Sequence, residues 1–300
     1  MTARLSGVLT ALATPFGPDG AVDDKQLRRL IEHSVDGGVD GLAVGGSTGE
    51  FAAMTGDERR ALVEAVVEHT AGRVPVVAQT GAVTTREAVA LSRHAEAAGA
   101  SVVMVIAPYY ETLTTDETLT YFRTVADSVS VPVMLYNMPG PTSVNLDPGT
   151  VGLLARQHEN IRYVKDSGGD MAQAAQLIHY HGDVVSTFVG WDTLALAALT
   201  EGAAGVMAGT ANVVPTELVA VHRAVREGDL VLARKQWQRI FPFLDAVVSA
   251  PSYIPAVKAA LQEIGIPSGA PRRPQFPVDE ATRSRVVEAL ATLSQPAPAL

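Results

Sequence analysis

Short apolar segments alternate with amphipathic segments through about the first 230 residues of the chain. We find eight such apolar segments, each followed by a stretch with helical spacing. Parallel strands joined by crossover helices produce this alternation, whereas an antiparallel sandwich does not. Eight strand and helix units predict an α/β fold, a closed (β/α)8 TIM barrel, with a doubly wound open sheet as the alternative.

The same patterns predict where the barrel ends. The predicted strands cover residues 7–12, 41–44, 74–78, 101–106, 131–136, 161–164, 184–189 and 205–207. The predicted barrel helices cover 24–37, a segment that starts near Thr55, 85–98, 115–128, 147–156, 171–181, 193–201 and 216–228. Later patterns are helical only, at 230–241, 252–264 and 279–293. We therefore predict a barrel domain at 1–228, a C-terminal helical extension at 229–294 and a frayed tail at 295–300.

Composition restricts the partners of this chain. Its formal net charge of -9 disfavours binding to nucleic acid or to an anionic membrane, and it suits a cytoplasmic protein. Cysteine is absent, which excludes disulfide bonds and thiolate catalysis. No apolar run is long enough to cross a bilayer. His179 and His181 close a predicted helix, away from the carboxyl ends of the predicted strands, so we expect no metal there.

One lysine stands in an unusual place. Lys165 directly follows the apolar run 161–164, whereas Lys25, Lys235 and Lys258 fall on predicted helices where a solvated face is expected. A lone ammonium beside a buried strand is costly unless it is paired or neutral, and a neutral amine is a nucleophile. Lys165 is therefore predicted to form a Schiff base with a carbonyl substrate. The alternative is a lysine whose stem packs in the barrel while its head reaches solvent.

Polar and small residues follow several other predicted strands. Because the carboxyl ends of all barrel strands meet at one face, we expect these residues to surround a single pocket. The segments at the strand ends are Gly46-Ser47-Thr48-Gly49-Glu50, Pro108-Tyr109-Tyr110, Tyr136-Asn137-Met138-Pro139, Lys165-Asp166-Ser167, Gly190-Trp191-Asp192 and Met207-Ala208-Gly209. Among them, the hydroxyls and backbone N-H groups of the glycine-rich segment 46–50 suit a small carboxylate.

These motifs, in this order and spacing, resemble the pyruvate-dependent class I aldolases of the dihydrodipicolinate synthase and N-acetylneuraminate lyase type. The resemblance covers almost the whole chain. It implies a (β/α)8 barrel with a C-terminal helical extension, usually a homotetramer, without a metal or an organic cofactor. The substrates it implies are pyruvate and an aldehyde, or the 2-oxo acid that the two form.

Matched residue by residue, the resemblance assigns roles. Lys165 is similar to the Schiff-base lysine and Tyr136 to the proton-relay tyrosine. Ser47 and Thr48 are similar to the hydroxyls that hold the pyruvate carboxylate and complete the relay. Tyr110 is similar to the tyrosine that a neighbouring subunit lends to it. We predict that four further residues at strand ends contact the substrate: Ser167, Gly190, Asp192 and Met207.

Departures from the family bear on the second substrate. In the synthase branch an arginine five residues beyond the relay tyrosine steadies a carboxylate of the aldehyde, and this chain has Pro141 there. Ser47 and the segment 190–193 look more like the sugar-acid lyases, although Thr193 stands where sialic-acid lyase has an acidic residue. We therefore expect cleavage or formation of a small 2-oxo acid, for example a 2-keto-3-deoxy sugar acid.

Three alternatives stay open. Within the family, the chain could be a dihydrodipicolinate synthase that condenses pyruvate with aspartate semialdehyde, or a sugar-acid dehydratase. From another class, it could be a noncatalytic sensor of pyruvate or of a sugar acid. Pyruvate binding without an imine, together with no turnover of any substrate, separates the sensor from the enzymes.

Overall fold

The barrel predicted from the sequence is present and closed. A computed structural model describes residues 5–294 and contains eight parallel strands, each paired with the next, with the last paired to the first. The strands β1 to β8 are Gly7–Ala11, Gly41–Val44, Val76–Gln79, Val102–Ile106, Val133–Asn137, Ile161–Asp166, Ser186–Val189 and Gly205–Ala208. Closure excludes the open-sheet alternative, because β1 pairs with β8 from Gly7 opposite Gly205 to Thr10 opposite Ala208.

Helices surround the barrel and then continue beyond it. In chain order the helices α1 to α12 are Asp24–Asp36, Gly56–Thr70, Thr85–Ala97, Thr115–Ala126, Pro139–Thr142, Pro148–Gln157, Met171–His181, Ala195–Glu201, Pro215–Arg226, Leu230–Val248, Tyr253–Glu263 and Glu280–Ala291. The capping box that begins α2 joins Thr55 to Glu58. The N-cap of α4 is Thr114, which forms a capping box with Glu117.

Large apolar side chains fill the barrel interior. Successive strand residues point to opposite faces, so alternate positions face inward and make a packed core. Six of these side chains are at most 4% exposed: Leu9, Met104, Met134, Tyr163, Phe188 and Met207. The core leaves room only at the carboxyl ends of the strands, where polar residues replace apolar ones.

Strand β6 is longer than predicted, and this changes the position of the lysine. The strand continues to Asp166, so Lys165 lies inside it rather than just after it. Lys165 pairs in register with Tyr136 of β5 and with Phe188 of β7. Registered neighbours in a parallel sheet project to the same face, so Lys165 and Tyr136 point together into the barrel mouth.

The extension differs from its prediction in one helix. Helix α10 runs through Pro242 to Val248, beyond the predicted end at residue 241. A proline inside a helix removes one hydrogen bond, and the buried side chains of Phe243, Leu244 and Val247 offset that loss by packing against the core. As a result, Val248 reaches the barrel mouth. The domain boundary at residue 228 stays a prediction, and the tail at 295–300 lies outside the described residues.

The prediction of a solvated Lys258 is wrong. Its side chain on α11 is 3% exposed, and its Nζ lies 2.5 Å from Oε1 of Glu50, whose side chain is 2% exposed. The amine also lies 4.5 Å from the ring centroid of Phe16. Burial lowers the pKa of Lys258, and the carboxylate of Glu50 opposes that lowering. The pair attaches the extension to the glycine-rich loop after β2.

We expect Lys258→Met to lower the free energy of unfolding by about 3 to 5 kcal/mol, since it leaves the buried carboxylate of Glu50 without its partner. Lys235→Met is the matched control because Lys235 is exposed on α10, and we expect it to change stability by less than about 0.5 kcal/mol. Chemical denaturation measures both values. The double variant Glu50→Gln with Lys258→Met should recover part of the loss. Equal losses in Lys258→Met and Lys235→Met would contradict the buried pair.

Candidate active site

A cavity of about 230 Å³ opens at the carboxyl ends of the strands, and we call it the inner pocket. Eight of the nine predicted site residues line it: Ser47, Thr48, Tyr136, Lys165, Ser167, Gly190, Asp192 and Met207. The remaining wall residues are Ala11, Met138, Trp191, Gly209, Val248, Tyr253 and Ile254. The strand-end argument therefore brings together residues that lie up to 160 positions apart in the chain, from Ser47 to Met207.

Lys165 is the central cation of the inner pocket. Its side chain is buried, with the residue 5% exposed, and its Nζ lies 4.4 Å from the ring centroid of Tyr136. Within residues 5–294 no carboxylate pairs with this amine, and it donates no hydrogen bond. An unpaired amine at the wall of a pocket is free to react with a carbonyl carbon.

A small hydroxyl network adjoins the lysine. Oγ of Ser47 lies 3.3 Å from the Tyr136 hydroxyl, which donates to Sδ of Met138 at 3.0 Å. The sulfur is a weak acceptor, so the phenol is held without being strongly engaged. The Thr48 hydroxyl has no partner among the described residues. The contact to Tyr136 is thus made by Ser47, whereas the resemblance gave Ser47 and Thr48 together as the relay hydroxyls.

The glycine-rich loop carries free backbone donors. The N-H groups of Ser47, Thr48 and Gly49 donate to no other group in the described part of the chain. Gly45, at φ 65°, starts the turn and Glu50, at φ 60°, ends it in the left-handed region. That region is costly for a residue with a side chain, so the turn depends on the contacts of the Glu50 carboxylate. Consecutive free N-H groups form a site for a small anion.

Ser167 and Gly190 shape the wall around the lysine. Oγ of Ser167 is buried and has no hydrogen-bond partner in residues 5–294. A Cβ atom on Gly190 would lie 2.2 Å from that oxygen and 2.6 Å from Cε of Lys165. Glycine at 190 therefore keeps the space in which the lysine and a bound molecule meet, and the unpartnered hydroxyl is available to that molecule.

Asp192 lines the inner pocket, but protein groups occupy its oxygens. Oδ1 accepts hydrogen bonds from the backbone N-H of Thr210, at 2.9 Å, and from its hydroxyl. Oδ2 accepts from the Tyr253 hydroxyl at 2.8 Å. Burial raises the pKa of Tyr253, and the neighbouring Asp192 raises it further, so the phenol stays protonated. Asp192 thus holds Tyr253 in the pocket wall, and a bound molecule would meet mainly the phenol.

One of the nine predicted site residues, Tyr110, lies elsewhere, and Asp166 of β6 has a supporting role. Tyr110 is 81% exposed and lies outside the inner pocket, in the loop after β4. Asp166 accepts from Nδ2 of Asn137 at 2.9 Å and from the N-H of Gly168 at 3.0 Å. Burial raises the pKa of Asp166. These contacts make Asp166 a cap of the turn that follows β6.

Several wall residues were not predicted from the sequence. Tyr253 and Ile254 come from the start of α11, and Val248 from the end of α10. Nothing in a helical pattern marks which turn will face a barrel mouth, so no signal could have found them. Met138 was a different case. It belongs to the segment after β5 that was singled out, and its position two residues after Tyr136 could have suggested a contact.

Residues 5–294 contain no group of three His, Cys, Asp or Glu side chains placed to hold a metal ion. Nε2 of His179 instead lies 3.1 Å from Glu201 on α8. In the same described part of the chain, no helix is long and apolar enough to cross a membrane.

The fold and the inner pocket together define the class of protein. A parallel (β/α)8 barrel with an unpaired buried lysine at the carboxyl ends of its strands is the architecture of a class I aldolase, a carbon-carbon lyase that works through an imine. The chain belongs to the dihydrodipicolinate synthetase family, whose model matches residues 4–293. The resemblance proposed from the motifs is confirmed.

Individual relatives align with nearly the full length of this chain. The 4-hydroxy-tetrahydrodipicolinate synthase of Sorangium cellulosum is 40% identical over 290 residues, which are 96% of this chain and 96% of the relative. The structure of YagE, a prophage protein of the dihydrodipicolinic acid synthase family from E. coli K12 in complex with pyruvate, matches with a TM-score of 0.93 at 32% identity, over 97% of this chain and 99% of that one. The dihydrodipicolinate synthase from Aquifex aeolicus matches with a TM-score of 0.92 at 34% identity, over 98% and 100%.

These findings bear on the reaction. They agree with an enzyme of the pyruvate-dependent aldolase class, as predicted. The names of the relatives favour the synthase alternative over the sugar-acid cleavage that the sequence analysis preferred. That preference rested on a few positions, which are Pro141, Ser47 and the segment 190–193, while the relatives are similar along nearly the whole chain.

The space at Gly190 gives a test of the lysine. We expect Gly190→Ala to slow imine formation about a hundredfold, because the added methyl displaces Lys165 and a shift of about 1 Å at a reacting group can cost that much. Borohydride trapping with pyruvate measures the rate, and circular dichroism checks the fold. Gly140→Ala is the matched control, since its Cβ meets nothing within 4 Å. An unchanged trapping rate in Gly190→Ala would contradict the placement of the lysine.

Proposed function

We propose that this enzyme condenses pyruvate with a short aldehyde that carries a carboxylate, as a 4-hydroxy-tetrahydrodipicolinate synthase does with aspartate semialdehyde. The observation that supports this most is the unpaired Lys165 amine against the Tyr136 ring in a pocket with free anion donors. The names of the relatives support the choice of aldehyde. No metal or organic cofactor enters the proposal, because the imine itself is the electron sink.

Pyruvate is proposed to bind with its carboxylate on the glycine-rich loop. The free N-H groups of Ser47, Thr48 and Gly49 and the two hydroxyls can surround it. This placement directs the keto carbon towards Lys165. Met207, which is fully buried at the floor of the inner pocket, limits the depth of the ligand. The unpartnered hydroxyl of Ser167 and the space at Gly190 complete the site.

Imine formation then needs proton transfers. The Lys165 amine attacks the keto carbon, giving a carbinolamine after a proton moves from nitrogen to oxygen. Loss of water from the carbinolamine needs a proton donor, and the Tyr136 phenol can serve, because its ring centroid lies 4.4 Å from the amine and the Ser47 hydroxyl lies 3.3 Å from its own. The phenol regains its proton through that neighbouring hydroxyl or through water.

The carbon-carbon bond forms in the next step. The iminium withdraws electrons, so the methyl carbon loses a proton and the imine becomes an enamine. The enamine carbon attacks the aldehyde carbon, whose oxygen takes a proton, and the iminium is restored. Hydrolysis or internal attack by an amine of the product then frees Lys165. Read in reverse, the same steps cleave a 2-oxo acid into pyruvate and an aldehyde.

Two observations support a second candidate, the cleavage of a 2-keto-3-deoxy sugar acid or its dehydration. Pro141 offers no charge to an aldehyde carboxylate, and the Tyr253 phenol in the pocket wall can accept a hydrogen bond from a sugar hydroxyl. This candidate is less well supported than the synthase, because it has no support from the names of the relatives. The noncatalytic sensor has no supporting observation.

Assembly and location are also proposals. The family resemblance implies a homotetramer in which Tyr110 of one subunit enters the relay of its neighbour. The exposure of Tyr110 is compatible with that role. A cytoplasmic location, which the net charge of -9 favours, stays a prediction, as does the absence of a nucleic-acid or membrane partner.

Borohydride reduction in the presence of pyruvate tests the imine. We expect peptide mass spectrometry to find the reduced adduct on Lys165 and no adduct in Lys165→Ala. Lys235→Ala should label as the parent does, since Lys235 is exposed on α10 and distant from the pocket lining. Labelling at another lysine, or none in the folded parent, would refute the proposed mechanism.

An aldehyde panel tests the choice of second substrate. With pyruvate, we expect kcat/KM for aspartate semialdehyde to exceed that for neutral hydroxyaldehydes such as glyceraldehyde at least tenfold, because a charge-assisted contact contributes about that factor in binding. Release of pyruvate from a 2-keto-3-deoxy sugar acid is measured in parallel. A faster sugar-acid cleavage than condensation would reverse the order of the two candidates.

A further inference from the structure

A second cavity, of about 420 Å³, adjoins the inner pocket, and we call it the outer pocket. The two share the wall residues Ser47, Met138 and Ile254, so a molecule in the outer pocket would meet one bound at Lys165. The outer pocket is the larger of the two. Its position fits the second substrate of a condensation, which must approach the enamine from the mouth of the barrel.

Most of its lining is apolar. The side chains of Phe51, Ala52, Ala53, Ile106, Pro141 and Ile254 form the walls. An apolar wall contributes burial but discriminates weakly between ligands. Recognition of a ligand in the outer pocket must therefore come from its few polar groups. Among them, the charged side chains have the largest effect on ligand affinity.

Two of its three lining charges are already neutralised. Glu50 pairs with Lys258 at 2.5 Å. Arg272 donates to both oxygens of Glu58, one of them at 2.5 Å, and to the carbonyl oxygens of Gly20 and Ala53. These hydrogen bonds hold the pKa of Glu58 at about 2. Neither group is available to a ligand without breaking those contacts.

The third charge, Arg273, is different. Its guanidinium makes no hydrogen bond or ion pair with any described residue, and it stacks on the ring of Phe276, whose centroid lies 3.9 Å from Cζ. Stacking on the ring orients the guanidinium while leaving its N-H groups free. The anchored backbone of Arg272 beside it fixes the base of the side chain. In a protein of net charge -9, this leaves one oriented, unneutralised cation on the wall of the outer pocket.

We propose that Arg273 binds the carboxylate of the aldehyde substrate and is the specificity residue of the outer pocket. It supplies from the C-terminal extension the charge that Pro141, which also lines this pocket, does not supply. This inference rests on the proposed condensation. A guanidinium suits the task because its planar N-H groups match two carboxylate oxygens. It also removes the main objection to the synthase function.

Kinetics of Arg273 variants test the inference. We expect Arg273→Leu to raise KM for aspartate semialdehyde about tenfold, with kcat changed less than about twofold, since the contact is remote from the reacting carbon. Arg273→Lys should restore part of the affinity, because it keeps the charge but not the planar fork. KM for glyceraldehyde should not change. Arg285→Leu, an exposed arginine on α12, is the matched control and should resemble the parent.

The outcomes separate this inference from the proposed function. Pyruvate imine trapping at Lys165 should be equal in parent, Arg273→Leu and Arg285→Leu. Trapping that fails in the parent refutes the condensation mechanism. Binding of succinic semialdehyde to Lys165→Ala, with and without Arg273→Leu, then still measures the anion site, because it needs no imine. An unchanged KM and unchanged binding in Arg273→Leu, or an equal loss for the neutral aldehyde, overturns the role of Arg273.

Discussion

The ion pair between Glu50 and Lys258 is the interaction on which the site depends most. Glu50 ends the glycine-rich loop in a left-handed conformation that a residue with a side chain adopts only when its surroundings hold it. Its carboxylate meets the Lys258 amine and the backbone N-H of Arg272, at 2.7 Å. One buried carboxylate thereby fixes the loop that offers donors to pyruvate, the helix α11 that brings Tyr253 to the pocket, and the segment that carries Arg273. The barrel places the lysine, and this pair places what surrounds it.

Polar groups in the inner pocket fall into two kinds. Asp192 and Asp166 are buried, accept several protein hydrogen bonds and act as supports for the wall. Ser167 and Lys165 make no side-chain hydrogen bond or ion pair with the described residues. A buried polar atom without a partner is costly in an empty protein and is satisfied when a polar ligand arrives. The unpartnered groups therefore identify where substrate binds better than the presence of a carboxylate does.

The sequence was sufficient for the barrel and for Lys165, for identifiable reasons. The periodicities of strands and helices are local properties of the sequence. A single lysine beside an apolar run is likewise visible in the amino-acid sequence itself. Lys258 was mispredicted because a helix of the extension buries a face against a loop more than two hundred residues earlier, and that contact has no local signal. Tyr253 and Arg273 were missed for the same reason. Residues 265–279 contain no helix or strand, so no periodic pattern indicated which side of that segment faces the pocket.

Different parts of the chain carry the lysine and line the outer pocket. The chemistry at Lys165 depends on strand ends, which a rigid sheet holds and which a change of one loop residue does not move. In the proposed condensation, recognition of the second substrate depends on α5 at Pro141 and on the segment at Arg273, two short stretches that both line the outer pocket. A charge can therefore be removed from one stretch and supplied by the other without altering the imine site. The position of a single arginine in the family motif is then insufficient to assign the reaction. A ligand in the cavity interacts with a charge on its wall whichever segment of the chain carries that charge. In the proposed condensation, the second substrate is constrained by the charge on the outer-pocket wall that no described residue neutralises, which is the Arg273 guanidinium.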